Sequence, residues 1–386
     1  MTGERIQVSD LMPLQTFVNR CLPALEEEMG ALVQTDDAPS ALQRRHSEGA
    51  PAPLQRRHSD GAPSSVQRHH SDGARYSGLF GMLRYHLGWA DQAFNPCRAR
   101  TGKRVRPLLC LLACKGCGGD WERALPAGAA IEMIHNFSLI HDDIEDRDQT
   151  RRGRPTVWAL WGEAQAINAG DALFALAQLA LVRLFERGVA GDTVAAAMRL
   201  LNDTCLALTR GQYLDIGFET REHVPIADYV AMVEGKTAAL IACACEMGGL
   251  VAEAGEPQRE HLRSFGHHLG LAFQMRDDVL GIWGDPAVTG KPVGADIARR
   301  KKTLPILHGL ERSAELRALL AQDALSADDV QGATRLLEGT DSRAYTEQLE
   351  RQHHAQALAA LEAAGLRSSA SEALQELADK LMGRER

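Results

Sequence analysis

The segment from residue 130 to residue 153 constrains the fold of this 386-residue chain more than any other. Its apolar side chains recur at steps of three and four, which is the spacing of one buried helix face. They are Ala130, Met133, Phe137, Ile140 and Ile144. A second face carries His135, Ser138, Asp142 and Asp146. Because an unpartnered buried carboxylate is very costly, this pattern predicts a helix whose acidic end lies among cations.

A second acidic cluster, at residues 273–281, repeats this pattern far downstream with Asp277 and Asp278. Oxygen ligands at helical spacing suit Mg²⁺, which keeps several waters and bridges to substrate phosphates. We therefore expect the two acidic helices to face each other across one cavity, with metal ions between them.

Composition bounds the class of protein. The chain is 45% hydrophobic with a formal charge of -8, enough for a large core in one or two domains. Mild acidity without a basic groove argues against a nucleic-acid partner. No uncharged apolar run reaches about 18 residues, and no basic segment followed by an apolar one opens the chain. We therefore predict a cytoplasmic protein without a transmembrane segment.

The eight cysteines lie mostly in apolar helical stretches and are predicted to be buried thiols. Cys110, Cys114 and Cys117 have a spacing that can also hold an iron–sulfur cluster. Because Cys110 and Cys114 fall within a core-like helix pattern, the pattern favours structural thiols.

The chain divides into three segments. Residues 1–35 contain an amphipathic helix predicted over 11–33, the first helix of the main fold. Residues 36–75 contain three copies of a polar 12-residue repeat, too few and too rich in Pro and Gly to form a core. We interpret them as a disordered insertion, a tolerated surface expansion rather than a phosphorylated or protein-binding tail. Residues 76–386 are a succession of apolar helical windows, which predicts an all-α array of roughly a dozen helices around a central cavity.

A basic motif, Thr101-Gly102-Lys103-Arg104-Val105-Arg106-Pro107, precedes one of these helices. Three cations at a helix start attract an anion through side chains and backbone amides. Together with the two acidic clusters and residues 151–152, 169–171, 211–215, 235–237 and 290–297, this motif resembles the all-trans isoprenyl (polyprenyl) diphosphate synthase family. The resemblance runs from residue 76 almost to the C-terminus. It implies an isoprenoid-synthase-type helical fold, prenyl transfer between isopentenyl and allylic diphosphates, two to three Mg²⁺ ions per site and a homodimer.

The resemblance also implies a role for individual residues. The isopentenyl diphosphate site would comprise Lys103, Arg106, His135 and Arg152. The allylic diphosphate site would comprise Arg151, Lys236, Thr237, Gln274 and Lys291. The metal ligands would be Asp142, Asp143, Asp146, Asp277 and Asp278. Ionisation of the allylic substrate would depend most on Asp142, Asp146, Asp277, Arg151 and Lys236.

The sequence departs from the family pattern at two positions. Thr101 replaces the first glycine of the basic motif, and Gly281 replaces the last aspartate of the second acidic motif. The second departure is expected to weaken the third metal site.

Product length follows, by the same resemblance, from Phe137 and Ser138 just before Asp142. On an ideal helix Phe137 lies about 140° round from Asp142, so geometry alone does not place it in the cavity. An aromatic residue there, without an insertion between Asp142 and Asp146, favours a C20 (geranylgeranyl) product over a C15 (farnesyl) product.

A terpene cyclase and a non-catalytic synthase subunit are the alternatives to a chain-elongating enzyme. A cyclase would not need the second diphosphate site, and a non-catalytic subunit would not need the complete set of charged residues.

Overall fold

The structure is a computed structural model that describes residues 13–33, 72–286 and 292–383. It is all-α, as predicted. The α-helices of the first half are α1 Leu14–Leu32, α2 Asp72–His86, α3 Val105–Gly116, α4 Leu125–Glu145, α5 Val157–Trp161 and α6 Glu163–Val182. Those of the middle are α7 Gly191–Glu219, α8 Ile226–Val233, α9 Ala239–Val251 and α10 Glu256–Trp283. The last are α11 Ala295–Ala298, α12 Leu304–Arg312, α13 Ala314–Leu320, α14 Ala327–Gly339, α15 Ser342–Ala363 and α16 Ser368–Met382.

Shorter elements join some of these helices. Two 3₁₀ turns lie at Trp121–Ala124 and Arg183–Arg187, and a π-helical turn lies at Glu234–Ala238. Strands β1 Thr150–Arg151 and β2 Arg154–Pro155 pair antiparallel. Arg152 and Gly153 connect them with φ values of 54° and 77°. A two-residue hairpin loop with two positive φ angles matches the right-handed twist of its strands.

The chain forms two compact units. The larger comprises Met1–Glu28, Lys103–His135 and Ala177–Arg386, and the smaller comprises Met29–Gly102 and Asn136–Leu176. In the larger unit α10 packs against α9 and α15, and α9 packs against α3. One apolar cluster of that unit is built around Phe218, Tyr229 and Met275, and another around Ile282 and Leu337.

In the smaller unit, Trp161 contacts two aromatic rings. The Tyr85 ring meets Trp161 edge-on at 5.0 Å between centroids, and Phe94 stacks on it at 5.4 Å. Arg154 of β2 lies over the Tyr85 ring and donates to the carbonyls of Tyr85 and Ala90. These contacts anchor the β-hairpin to α2 and to the loop that follows it.

The predicted N-terminal helix is confirmed over Leu14–Leu32, with Phe17, Cys21 and Leu25 buried. Most of the repeat segment, residues 34–71, lies outside the described residues, so its predicted disorder stays a prediction. Helix α2 begins at Asp72, inside the third repeat copy, four residues before the predicted boundary.

In the described part of the chain, one helical stretch, Glu163–Arg187, is long and apolar enough to cross a membrane by length and composition alone. The sequence criterion passed over it because Asp171 interrupts its apolar run. A core helix meets the same test, so this single match is weak support for a span, and the cytoplasmic location stays a prediction.

Candidate active site

The first acidic cluster lies at the C-terminal end of α4, in the smaller unit. The Asp146 amide donates to the Asp142 carbonyl at 2.8 Å, so the helical turn continues past Glu145. The two carboxylates therefore lie one turn apart on one helix face, as their spacing predicted. Asp142 is half-buried and Asp146 is exposed.

Asp143 has a different environment, since its side chain is only 2% exposed. Its Oδ1 accepts a hydrogen bond from Arg151 Nε at 2.7 Å, while its buried Oδ2 has no hydrogen-bond partner among the described residues. Burial raises the pKa of Asp143 to about 6, opposed by the positive charge of Arg151. Asp143 thus holds the guanidinium of Arg151 in place. The sequence alone did not indicate this contact.

Arg152 follows on the turn of the hairpin. A Cβ atom added to Gly102 would lie 2.8 Å from a guanidinium nitrogen of Arg152, so Gly102 provides the room that this side chain occupies. The hairpin therefore places the Arg152 side chain against Gly102, the residue before Lys103.

Residues 103–107 of the basic motif belong to the larger unit, and Lys103 is exposed. Arg106 Nη1 lies 3.4 Å from His135 Nε2, so α3 and α4 bring these two predicted ligands together. Arg104, however, is buried and paired with Glu26 and Glu132. The expectation of three cations available to an anion is therefore wrong for Arg104.

The π-helical turn Glu234–Ala238 carries Lys236 and Thr237. Lys236 Nζ lies 2.6 Å from Asp215 Oδ2 on α7. A Cβ atom on Gly211 would collide with the backbone nitrogen of Lys236, so this glycine lets α7 touch the turn. Single π turns inside helices are often found at functional sites.

Thr237 belongs to a hydrogen-bond chain that ends at the second acidic cluster. Thr237 Oγ1 donates to Gln274 Oε1 at 2.9 Å, and Gln274 Nε2 donates to Asp278 Oδ1 at 3.0 Å. Asp278 Oδ2 accepts from the Tyr229 hydroxyl at 2.5 Å and from the Leu304 amide at 2.9 Å. Tyr229 and Leu304 are partners that sequence reasoning missed.

These bonds decide what Asp278 can do. Its side chain is buried, and burial raises its pKa to about 6 against the charge of Lys301 and the three hydrogen bonds. Both carboxylate oxygens already accept protein donors, so the structure does not fit the prediction that Asp278 is a metal ligand. The neighbouring Asp277 is only half-buried and remains a candidate.

A further carboxylate was missed beside Gly281. A Cβ atom added to Gly281 would fall against the carboxylate of Asp296, 2.5 Å from its Cγ. Asp296 thus occupies the space beside the position at which the family pattern has its last aspartate. Asp296 follows the Gly290-Lys291 loop in the sequence, and this position was the signal from which it could have been predicted. Lys291 itself lies outside the described residues.

Phe137 and Ser138 lie half-buried on α4 in the smaller unit. The Phe137 ring meets His141 at 4.8 Å and Phe174 of α6 at 5.5 Å, both edge-on. Phe174 was not predicted, because α6 is distant from Phe137 in sequence.

The structure thus brings predicted residues together within each unit. Asp142 and Asp277 belong to different units, and their meeting across a cavity stays a prediction.

The side chains of the described residues limit which metal centres the chain could hold. Within residues 13–33, 72–286 and 292–383, no three His, Cys, Asp or Glu side chains form a group that could hold a metal ion. This disfavours the iron–sulfur alternative, and burial also raises the pKa of the Cys114 thiol to about 12. Mg²⁺ commonly takes one or two carboxylates and completes its shell with water and substrate phosphates. The aligned pair Asp142 and Asp146 fits that requirement.

Carboxylates that could hold Mg²⁺, together with separate cationic side chains, are groups suited to stabilising the negative charge of phosphate oxygens. The chain belongs to the polyprenyl synthetase family, whose sequence pattern matches residues 88–337. It is therefore an enzyme, a prenyltransferase.

Individual relatives agree with this assignment. The chain is 48% identical over 261 residues to a geranylgeranyl diphosphate synthase of Mycobacterium tuberculosis, covering 66% of this chain and 73% of that one. It is 40% identical over 312 residues to a (2E,6E)-farnesyl diphosphate synthase of Mycobacterium bovis, covering 79% and 86%. A crystal structure of polyprenyl synthetase from Streptomyces coelicolor superposes with a TM-score of 0.78 at 32% identity, covering 95% of this chain and 99% of that one.

Proposed function

We propose that this enzyme condenses isopentenyl diphosphate with an allylic diphosphate and makes geranylgeranyl diphosphate as its main product. Members of this family act on isopentenyl and allylic diphosphates and use a divalent metal ion. The observation that carries the site assignment is the alignment of Asp142 and Asp146 on one helical turn, beside an Arg151 braced by Asp143.

In this reaction the allylic carbon–oxygen bond breaks and its electron pair leaves with the diphosphate. The double bond of isopentenyl diphosphate attacks the carbocation, and the departed diphosphate takes the proton lost from the product. Asp142 and Asp146, with Asp277, would hold two to three Mg²⁺ ions, which supply positive charge to the leaving group. Arg151, Lys236 and Lys291 would bind the same diphosphate, and donors fixed in advance lower the barrier most.

The second substrate needs its own site. Lys103, Arg106, His135 and Arg152 would bind the diphosphate of isopentenyl diphosphate and orient its double bond. Holding two reactants in one geometry removes much of the entropic barrier. Arg106 and His135 support this role because they lie side by side in the larger unit.

The geometry of Thr237 refines its predicted role. An ionised Asp278 only accepts hydrogen bonds, so it orients the Gln274 amide with its oxygen towards Thr237. The single hydroxyl proton of Thr237 is then directed to Gln274. Its oxygen can offer only lone pairs to a substrate, which suits the developing positive charge of the allylic group better than a diphosphate.

The C20 product rests on Phe137. The aromatic ring and its contact with Phe174 are expected to stop the growing chain in the smaller unit. Relatives of both product classes match the chain, a geranylgeranyl diphosphate synthase at 48% identity over 261 residues and a farnesyl diphosphate synthase at 40% over 312 residues, so the proposed length depends on Phe137 alone. A C15 product is the alternative.

Purified enzyme incubated with Mg²⁺, isopentenyl diphosphate and dimethylallyl diphosphate tests both parts of the proposal. Mass spectrometry should detect C20 diphosphate as the main product and consumption of isopentenyl diphosphate. Products of C30 or longer would contradict the role of Phe137. A cyclised product without use of isopentenyl diphosphate would indicate a terpene cyclase. Activity that requires a second protein would indicate a non-catalytic subunit.

We also propose that the enzyme is a homodimer. In the larger unit Asn202 of α7 donates to Gln178 of α6 at 3.1 Å, which holds the two helices side by side. Large apolar side chains on and beside these helices are 43–78% exposed: Leu179, Val182, Phe185, Leu206, Tyr213 and Ile216. Exposed apolar patches of this kind mark interaction surfaces. Light scattering should give twice the 42.0 kDa chain mass, and the chain mass for a Phe185→Glu, Leu206→Glu variant. A monomeric wild type would overturn this assignment.

A further inference from the structure

We propose that Arg104 is a positioning residue that sets the geometry of the isopentenyl diphosphate site without touching the substrate. This inference rests on the proposed function. It concerns only residues of the larger unit: Arg104, its two glutamate partners, and the adjacent ligands Lys103, Arg106 and His135.

The backbone at Arg104 is unusual. Arg104 caps the start of α3 in the left-handed region, with φ 50° and ψ 37°. Residues other than glycine rarely adopt this conformation, and they keep it only where surrounding contacts enforce it. The turn at Arg104 separates Lys103, which is exposed, from Arg106, which is part of α3. The conformation of Arg104 therefore determines how these two cations are presented.

Two ion pairs, one buried and one partly buried, hold the Arg104 side chain and favour that conformation. Arg104 Nη1 lies 2.7 Å from Glu132 Oε1 on α4, and Arg104 Nε lies 2.9 Å from Glu26 Oε1 on α1. The side chains of Arg104 and Glu132 are 3% and 4% exposed, and that of Glu26 is 34% exposed. The planar guanidinium fork suits two carboxylates at once, which a lysine ammonium does not reproduce. We call Arg104, Glu26 and Glu132 the clamp.

The clamp is linked to the substrate site through one helix. Glu132 and His135 are three residues apart on α4, so they lie on the same side of the helix, one turn apart. Arg106 in turn contacts His135 at 3.4 Å. Arg104 therefore connects the basic loop to the helix that carries His135. This connection fixes the positions of Lys103 and Arg106 relative to His135.

The clamp has an electrostatic effect as well. Glu132 would otherwise place a negative charge one turn from His135, where a diphosphate is to bind. In a poorly solvated environment such a charge would repel the substrate. Pairing with Arg104 offsets that repulsion at the site where Lys103 and Arg106 are proposed to bind the anion.

The test is Arg104→Lys, which keeps the charge but removes the fork. The matched control is Arg20→Lys on α1, where the Arg20–Glu122 pair is 61% and 48% exposed. Calorimetric titration measures binding of isopentenyl diphosphate, and steady-state kinetics measures KM for each substrate. We expect Arg104→Lys to weaken binding of isopentenyl diphosphate and raise its KM by roughly tenfold or more, because small misplacements of a binding group are costly. The KM of the allylic substrate should change by less than about twofold, and Arg20→Lys should match wild type.

Glu26→Gln removes the charge at the partly exposed end of the clamp, and it should also weaken binding of isopentenyl diphosphate selectively. This variant replaces Arg104→Lys as the test if Arg104→Lys does not fold. A folded Arg104→Lys variant with wild-type affinity for isopentenyl diphosphate overturns the proposal. Equal weakening of both substrates also overturns it, because that result indicates a general structural role. Wild-type enzyme that does not bind isopentenyl diphosphate overturns the proposed function itself.

Discussion

The hydroxyl oxygen of Tyr229 lies 2.5 Å from Oδ2 of the buried Asp278. This bond and that from the Leu304 amide hold one carboxylate oxygen, which leaves the other to orient Gln274 and, through it, Thr237. A tyrosine on α8 therefore influences a hydroxyl on the π-helical turn through three successive hydrogen bonds.

Replacing Tyr229 by phenylalanine tests the contribution of this bond. The variant removes one donor from a buried carboxylate, so we expect the free energy of unfolding to fall by about 1–3 kcal/mol. We also expect a lower kcat, because Asp278 is less firmly held and Gln274 less firmly oriented. Urea denaturation and steady-state kinetics measure the two effects. Tyr345→Phe, where the ring stacks on His308, is the matched control and should retain kcat. Equal kcat in both variants would exclude the orienting role of Tyr229.

Replacing Gly281 by alanine should push on Asp296. The new Cβ would collide with the Asp296 carboxylate, so we expect a loss of stability of about 1–3 kcal/mol. The Mg²⁺ concentration for half-maximal activity should also rise if Asp296 supports the second acidic cluster. Gly217→Ala is the control, since Gly217 also lies two residues from a helix end but has open space around its Cβ position. It should be neutral or stabilising by up to about 1 kcal/mol. Identical thermal unfolding of the two variants would refute the collision.

Removing the Phe174 ring should lengthen the product. Phe174→Ala takes away the edge-on contact that holds the Phe137 ring, so the predicted floor becomes mobile. We expect a detectable shift from C20 towards longer diphosphates, smaller than the shift caused by Phe137→Ala. Chromatography of the hydrolysed products measures it. Ile167→Ala, an exposed position on the same helix, should leave the product distribution as in wild type. An unchanged product in Phe137→Ala would remove both aromatic residues from this role.

A histidine pair in the larger unit should make stability depend on pH. His268 Nδ1 and His353 Nδ1 lie 3.1 Å apart, and their rings stack. Burial lowers the pKa of both, with a further lowering by the charge of His267. Because the unfolded chain then takes up protons that the folded chain does not, stability is fully present above the unfolded pKa of about 6.5 and is lost as pH falls below it.

The measurement is the urea midpoint at pH 7.5 and pH 5.5. The midpoint should fall between these pH values in wild type, and it should fall less in His268→Phe, which keeps the ring stack but removes one titrating group. His261→Phe on the same helix is the control and should behave as wild type. A urea midpoint of the wild type that rises from pH 7.5 to pH 5.5 would contradict the predicted pH dependence.

The sequence by itself determined the helical architecture and the chemical class. Helical spacing was sufficient to place Asp142 and Asp146 on one turn, because i and i+4 neighbours depend only on local geometry. It was also sufficient to predict the buried face of α1. These are properties of a single helix and require no knowledge of its partners.

Tertiary structure decided how each charged side chain is used. Arg104 and Arg106 look equivalent in the sequence, but Arg104 is buried between two glutamates and Arg106 contacts His135. Asp277 and Asp278 also look equivalent, yet only Asp278 accepts hydrogen bonds from Tyr229, Gln274 and Leu304. Burial and long-range partners set the role of a charge, and both depend on residues far away along the chain.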